Sequence, residues 1–312
     1  MENFIYSINA TLPIFLIMIL GKILFHVHII NEHFTKTADK FVFYVGLPSL
    51  IFKDLAMTNV GKTFNAEFVL FCFSTTLLII LVIWFFTSLL MKNKTSQGAF
   101  IQASYRSSAA ILGMAFINNM YGNAGMAPLM IIGAVPLFNI FAVVILTLKG
   151  ENDKKPDIKT TFLNIFKNPI LISIIIALPF ALTGITLPTI IEKTVISLSG
   201  TATPLALICI GAGFEGRKAI KKLKPTLLAT FIKLILLAAL FLPVAVWLGF
   251  RNQELIAVLI MLASPATPSC YIMVKNTNND AVLTSSIIVL TTLLSSVTLT
   301  GWIFVLRTLG FL

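Results

Sequence analysis

The sequence predicts an all-α polytopic membrane protein of ten transmembrane helices, arranged as two inverted five-helix repeats with helices 4 and 9 broken and crossing. Three observations predict this. The 312 residues are 57% hydrophobic and 11% charged, with mean hydropathy +0.96, whereas soluble domains carry about 25% charged residues. Apolar runs of about 20 residues, enough to cross a hydrocarbon core as helix, recur along the whole chain. Residues also repeat at a nearly constant offset. Pro13 and Pro169 stand 156 apart, as do Pro48 and Pro204, while Lys36-Thr37 and Lys193-Thr194 stand 157 apart, as do Asn123-Ala124 and Asp280-Ala281.

Ten spans follow, at residues 4–26, 37–57, 66–91, 98–121, 126–148, 168–186, 189–214, 226–249, 253–275 and 281–306. Polar punctuation separates them, for example Lys92-Asn93-Lys94, Gly122-Asn123 and Asn276 to Asp280. The offset contains five spans, an odd number, so the second copy enters the membrane with opposite topology. Residues 1–149 form the first repeat, 150–167 a cytoplasmic linker and 168–312 the second repeat. Inverted repeats of this kind place substrate sites near the midplane, where broken helices of the two copies meet.

Charge sets the expected orientation. The odd-numbered loops hold sixteen Lys and Arg, including Lys36, Lys92, Lys94 and the run Arg217 to Lys224. The even loops and tails hold five: Lys53, Lys62, Lys193, Arg251 and Arg307. Cations accumulate on the cytoplasmic side, so the odd loops are cytoplasmic and both termini lie outside a bacterial plasma membrane. Trp84, Trp247 and Trp302 fall toward span ends, where an aromatic belt forms.

Several functions are disfavoured. The net charge of +11 lies in short breaks between apolar runs, so no nucleic-acid partner is expected. No Lys or Arg precedes the first run, so a retained first helix is expected rather than a cleaved signal. Cys72, Cys209 and Cys270 lie inside spans, with no metal-ligand or redox spacing. Nucleotide-loop, metalloprotease and hydrolase motifs are missing, so neither an enzyme nor a bound cofactor or metal is expected. His26, His28 and His33 cluster at the first cytoplasmic loop, and a solvated loop end is the simpler reading of them.

Site candidates are residues that break helices or put polar atoms at depth, since both are costly in lipid unless they line a cavity. Span nine carries Ser264-Pro265-Ala266-Thr267-Pro268-Ser269, whose two prolines remove two backbone donors and predict a break. Subtracting 157 lands on Arg106-Ser107-Ser108 in span four. Arg106 lies some eight residues into its span, about 12 Å along a helix. Its guanidinium there can clamp a carboxylate, or alternatively snorkel to the surface. Pro48-Ser49 in span two and Pro204 in span seven are midspan prolines that either flank the site or simply kink their helices. The site set is therefore Arg106, Ser107, Ser108, Pro265, Thr267 and Ser269, with Pro48 and Ser49 beside it. Lys233 in span eight is expected to snorkel to the basic cytoplasmic loop. Asn118, Asn119, Asn139, Thr291, Thr292, Ser295 and Ser296 are read chiefly as helix-to-helix hydrogen-bonding groups.

The chain resembles the auxin efflux carrier family, whose bacterial members include malonate and malate permeases. The resemblance rests on Gly46-Leu47-Pro48-Ser49-Leu50-Ile51-Phe52, on Tyr105-Arg106-Ser107-Ser108 with Gly113, and on Ala263-Ser264-Pro265-Ala266 followed by Lys275 and Asp280. It implies a scaffold of helices one, two, six and seven, a transport domain from the remainder, and dimerisation through the scaffold. It also implies a substrate carboxylate near the crossing of Arg106–Ile111 with Ser264–Ser269. The plant carriers' Asn-Pro-Asn-Thr-Tyr element is missing from helix four, so an indole substrate is not implied. Glu67 matches an acid of the plant members without the lysine one turn later, and reads as a solvated acid at a helix start.

The expectation is a secondary transporter of small organic anions, mono- or dicarboxylates such as malonate and malate, working by elevator-type alternating access. The coupling ion, H⁺ or Na⁺, stays open. The alternatives are a sodium symporter resembling the bile-acid carriers, a membrane metabolite sensor that moves nothing, and a channel, for which no filter sequence stands out.

Overall fold

The computed structural model describes residues 2–57, 64–109, 117, 120–122, 126–150 and 166–312, with side chains from residue 12 onward and excepting that of residue 182. Every described part of the ten sequence spans contains helix, and no strand occurs among the described residues. Among the described residues five helices are long and apolar enough to cross a membrane: Ala66–Leu90, Ala127–Lys149, Thr189–Gly213, Leu223–Trp247 and Ala281–Thr308. Several of the other spans are short or interrupted, and the interruptions shape the centre of the molecule.

The first helix, α1 (Glu2–His26), leads to α2 (Glu32–Phe41), whose N-cap Asn31 accepts from the Phe34 N–H. A π-helical turn over Val42–Gly46 joins α2 to α3 (Leu47–Ala56). Pro48 explains that turn, because its ring excludes the ordinary bond to the carbonyl four residues earlier. Then come α4 (Ala66–Leu90), capped by Asn65, and α5 (Lys94–Tyr105), capped by Asn93. Next are α6 (Ala127–Lys149), α7 (Pro169–Thr183) and α8 (Thr189–Gly213). A short α9 (Gly216–Lys221) precedes α10 (Leu223–Phe231), a π-helical turn over Ile232–Leu236, and α11 (Leu237–Trp247). The chain ends with α12 (Asn252–Ala263), α13 (Ser269–Asn276) and α14 (Ala281–Thr308).

Two groups of helices pack closely, and α1 bridges them by packing on α14 as well. In one, α1 lies along α8 while α3 packs on α7 and α8. Small residues let α1 and α8 touch backbone to backbone: a Cβ on Gly211 would collide with the Met18 carbonyl, and one on Gly21 with that of Ile208. In the other group α4, α5 and α6 pack on one another, as do α10 to α14. Large apolar side chains remain exposed on the outer faces, Leu70, Phe73, Phe85, Phe86 and Leu89 along α4 among them. In water such a face would be untenable, so lipid is its solvent.

The loops segregate by end, as the charge count requires. At one end the Asp280 N–H donates to the Thr95 carbonyl at 3.3 Å, Asn279 donates to the Leu146 carbonyl at 3.0 Å, and Lys22 donates to the Phe214 carbonyl at 2.9 Å. These contacts join odd-numbered loops and span ends. At the other end Asn65 donates to Glu254 at 3.2 Å and the Asn252 N–H to the Phe311 carbonyl at 3.2 Å. The Trp302 indole N–H donates to the Leu234 carbonyl inside the π-helical turn at 3.0 Å. The chain 151–165, most of the expected linker, lies outside the described residues, as do Lys62, Gly113, Asn118, Asn119 and Asn123-Ala124.

Candidate functional site

Two helices end in mid-protein and their ends meet. Helix α5 stops at Tyr105, with Arg106 extended at φ −78° and ψ 117°. Helix α12 stops at Ala263, with Ser264 extended at φ −71° and ψ 155°. The released segments pair antiparallel as a single bridge between Ser107 and Ala266, in which the Ser108 N–H donates to the Pro265 carbonyl at 3.0 Å. The prolines account for the second break, since residues 265 and 268 cannot donate to the ladder. Thr291 of α14 steadies it by accepting from the Ala266 N–H at 3.2 Å while donating to the Ile287 carbonyl at 2.7 Å. The segment 110–116 beyond the first break lies outside the described residues.

Arg106 is buried at 5% exposure. It donates to Asn139 Oδ1 at 2.6 Å and to Met273 Sδ at 3.0 Å. Asn139 is itself oriented by donating to the Val135 carbonyl at 2.9 Å. Among the described residues no carboxylate lies within ion-pair distance of this guanidinium. Neutral acceptors satisfy some of its five N–H groups, and no ion pair offsets its charge among the described residues.

A narrow cavity of about 40 Å³ opens beside it, lined by Arg106, Ser107, Ser108, Thr267, Ser269 and Asn139 and walled by α3 through Leu50 and Asp54. That volume is room for a few water molecules rather than for a whole dicarboxylate. Thr267 and Ser269 stand at the start of α13, whose N-terminal end carries partial positive charge. Asp54 pairs with Lys53 at 3.3 Å.

Six of the eight predicted site residues therefore gather here: five line the cavity, and Pro265 supplies the carbonyl of the bridge. Pro48 and Ser49 do not. They face α7 across a separate groove with Phe52, Pro169 and Ser173. Helical period explains the correction: Leu47, Leu50, Ile51 and Asp54 share the face toward the crossing, and positions 48, 49 and 52 point away.

Lys233 is the second correction. Rather than snorkelling, it is wholly buried on the π-helical turn. Its Nζ donates to the Leu262 carbonyl at 2.7 Å, to the Tyr105 carbonyl at 3.3 Å, and to Ser107 Oγ. Ser107 Oγ in turn donates to the Met261 carbonyl. One ammonium thus caps the C-terminal ends of both α5 and α12, where helix carbonyls lack partners. A sequence signal existed: no acid stands three or four residues from Lys233 on either side, so its helix offers no local partner. Asp54, beside Lys53 near the end of span two, is a further residue of the cavity wall that the sequence analysis did not single out.

A family model described as "Membrane transport protein" matches residues 6–303. The chain belongs to this family, that of the auxin efflux carriers. An uncharacterized transporter of Methanothermobacter thermautotrophicus is 24% identical over 309 residues, covering 97% of this chain and 99% of that protein. This member of the auxin efflux carrier family is thus an integral membrane transporter. Glu67, the acid of the resemblance, is exposed in the first turn of α4, where it favours the helix dipole.

Proposed function

We propose that the protein is a secondary carrier of small organic anions, mono- or dicarboxylates of the malonate and malate kind, with Arg106 as the carboxylate clamp. One observation carries this reading: a buried guanidinium whose partners among the described residues are neutral faces a cavity rimmed by hydroxyls and the start of α13. A buried cation without an acid is costly, and an incoming carboxylate offsets that cost with bidentate hydrogen bonds. Ser108, Thr267 and Ser269 then supply the remaining donors.

The architecture proposed is two inverted five-helix repeats in elevator-type alternating access. Reciprocal packing supports it. The 1-to-6 and 2-to-7 correspondence of spans exchanges the contact of α1 with α8 for that of α7 with α3, and both are extensive. The group containing α1, α2, α3, α7 and α8 would be the scaffold, through which a homodimer would form. The remainder would carry the crossing. The basic end would face the cytoplasm of a bacterial cell, with both termini outside.

Asp54 favours the proton as coupling ion. A carboxylate substrate entering a cavity walled by an ionised Asp54 meets like charge at short range, and protonation removes that repulsion. That wall is the support for proton symport.

The test is uptake of radiolabelled malonate, malate and related carboxylates into proteoliposomes under imposed proton or sodium gradients. Saturable uptake driven by an inward proton gradient, and lost in Arg106→Ala, is the expected result. If no carboxylate moves under either gradient, the carrier reading fails and a metabolite sensor replaces it.

A further inference from the structure

The crossing contains a second buried cation that anion binding does not use. Lys233 Nζ lies 2.7 Å from the Leu262 carbonyl and 3.3 Å from the Tyr105 carbonyl, with Ser107 Oγ as its third acceptor. Three acceptors match the three N–H bonds of an ammonium. All three are oxygens, two of them carbonyls from the C-terminal ends of half-helices and one a hydroxyl from the unwound segment between. Unwound carbonyls and half-helix C-terminal ends are what coordinate a free cation in ion-coupled carriers with broken helices, and hard cations take such oxygen sets. No carboxylate forms an ion pair with Lys233 among the described residues. The two helix ends are therefore the main local source of negative potential that its charge answers.

We propose that Lys233 is a tethered cation: its ammonium permanently fills the position at the crossing that a free monovalent cation would otherwise occupy, so the carrier needs no Na⁺. The π-helical turn over Ile232–Leu236 contributes to this placement. It sets Lys233 toward the two breaks, and Trp302 holds the turn by donating to the Leu234 carbonyl. A free ion travels with its substrate and leaves with it, whereas a tethered ammonium stays. The crossing then keeps its helix ends neutralised in every state of the cycle, and the driving ion must act elsewhere. The inference deepens the carrier reading and rests on it for its meaning in transport, but it is tested without transport.

The experiment measures thermal unfolding of the purified full-length protein in detergent, in NaCl against choline chloride at equal concentration. Wild type is expected to unfold at the same temperature in both. Lys233→Ala, which leaves an oxygen-lined space, is expected to lose stability in choline and to recover by roughly 3 °C or more in Na⁺. Lys233→Met, which fills the space with an apolar chain, is expected to lose stability without that recovery. Stabilisation of wild type by Na⁺ over choline would overturn the proposal, and this arm stands even if the variants do not fold. Equal behaviour of Lys233→Ala in the two salts would overturn it as well. Because no substrate is present, failure here is distinct from failure of the carrier reading, which is decided by uptake.

Discussion

Cations at the loop-rich end of the molecule and cations at the crossing are held in opposite ways. At the end, Lys222 pairs with Asp280 at 2.8 Å, where Ser96 also donates at 2.7 Å, and Lys275 pairs with the buried Asp39 at 2.5 Å. At the crossing, Arg106 and Lys233 rest on carbonyls, a hydroxyl, an amide oxygen and a thioether. Opposite charge thus satisfies the cations that tie helices together, while among the described residues Arg106 and Lys233 form no ion pair. The difference separates structural charge from charge available to an anion.

The comparison breaks most visibly at Arg106. Arg106→Ala should lower carboxylate uptake by about 100-fold, the loss typical of removing one partner of a buried charged contact. Arg106→Lys should recover only part of it, because an ammonium lacks the planar fork. Both variants should stay folded, since only the neutral groups of Asn139 and Met273 lose a partner. Initial uptake rates, with circular dichroism as the folding control, measure this.

The paired cations should respond in stability instead. Asp39→Asn leaves the half-exposed Lys275 without its acid and is expected to cost about 2–4 kcal/mol. A double-mutant cycle with Lys275→Met should show that the two losses are not additive. Additive losses would mean that the pair does not hold α2 to α13.

Asp280 gives the smallest effect and a pH signature. Burial pushes its carboxyl up, but hydrogen bonds from Lys222, from the Leu283 N–H and from Ser96 outweigh it and hold the group below the ordinary aspartate range. A depressed carboxyl contributes stability that is fully present above its unfolded value of about 3.9 and is lost as pH falls through the folded value. Asp280→Asn, which keeps the cap on α14, should cost about 0.5–1 kcal/mol at neutral pH and flatten the acid limb below about pH 4. Melting temperature against pH in detergent reads both.

The legibility of these features in the sequence follows from their physics. The break in span nine was legible because two prolines three apart leave a helix no alternative. The break in span four has no proline, and only its offset from span nine pointed to it. Pro48 was legible as a disturbance, but the disturbance is a π-helical turn at the head of α3, and the face of that helix toward the crossing carries Leu50 and Asp54. Lys233 was misread because distance along the chain to the basic loop says nothing of what packs against a side chain. Its acceptors lie on segments 126 to 128 residues before it and 29 after it. Hydropathy suggested ten spans, whereas five long apolar helices emerge among the described residues, one of them through the π-helical turn over Ile232–Leu236, since helix breaks and a short α7 divide others.

The central claim is that Arg106 holds the carboxylate, and ligand-induced thermal stabilisation tests it most directly. Purified wild type and Arg106→Ala would be melted over a concentration series of malonate and malate at constant ionic strength. The account predicts saturable stabilisation of wild type, about 1.4 kcal/mol at ten times the dissociation constant, and none of the variant. Equal stabilisation of both proteins would contradict it.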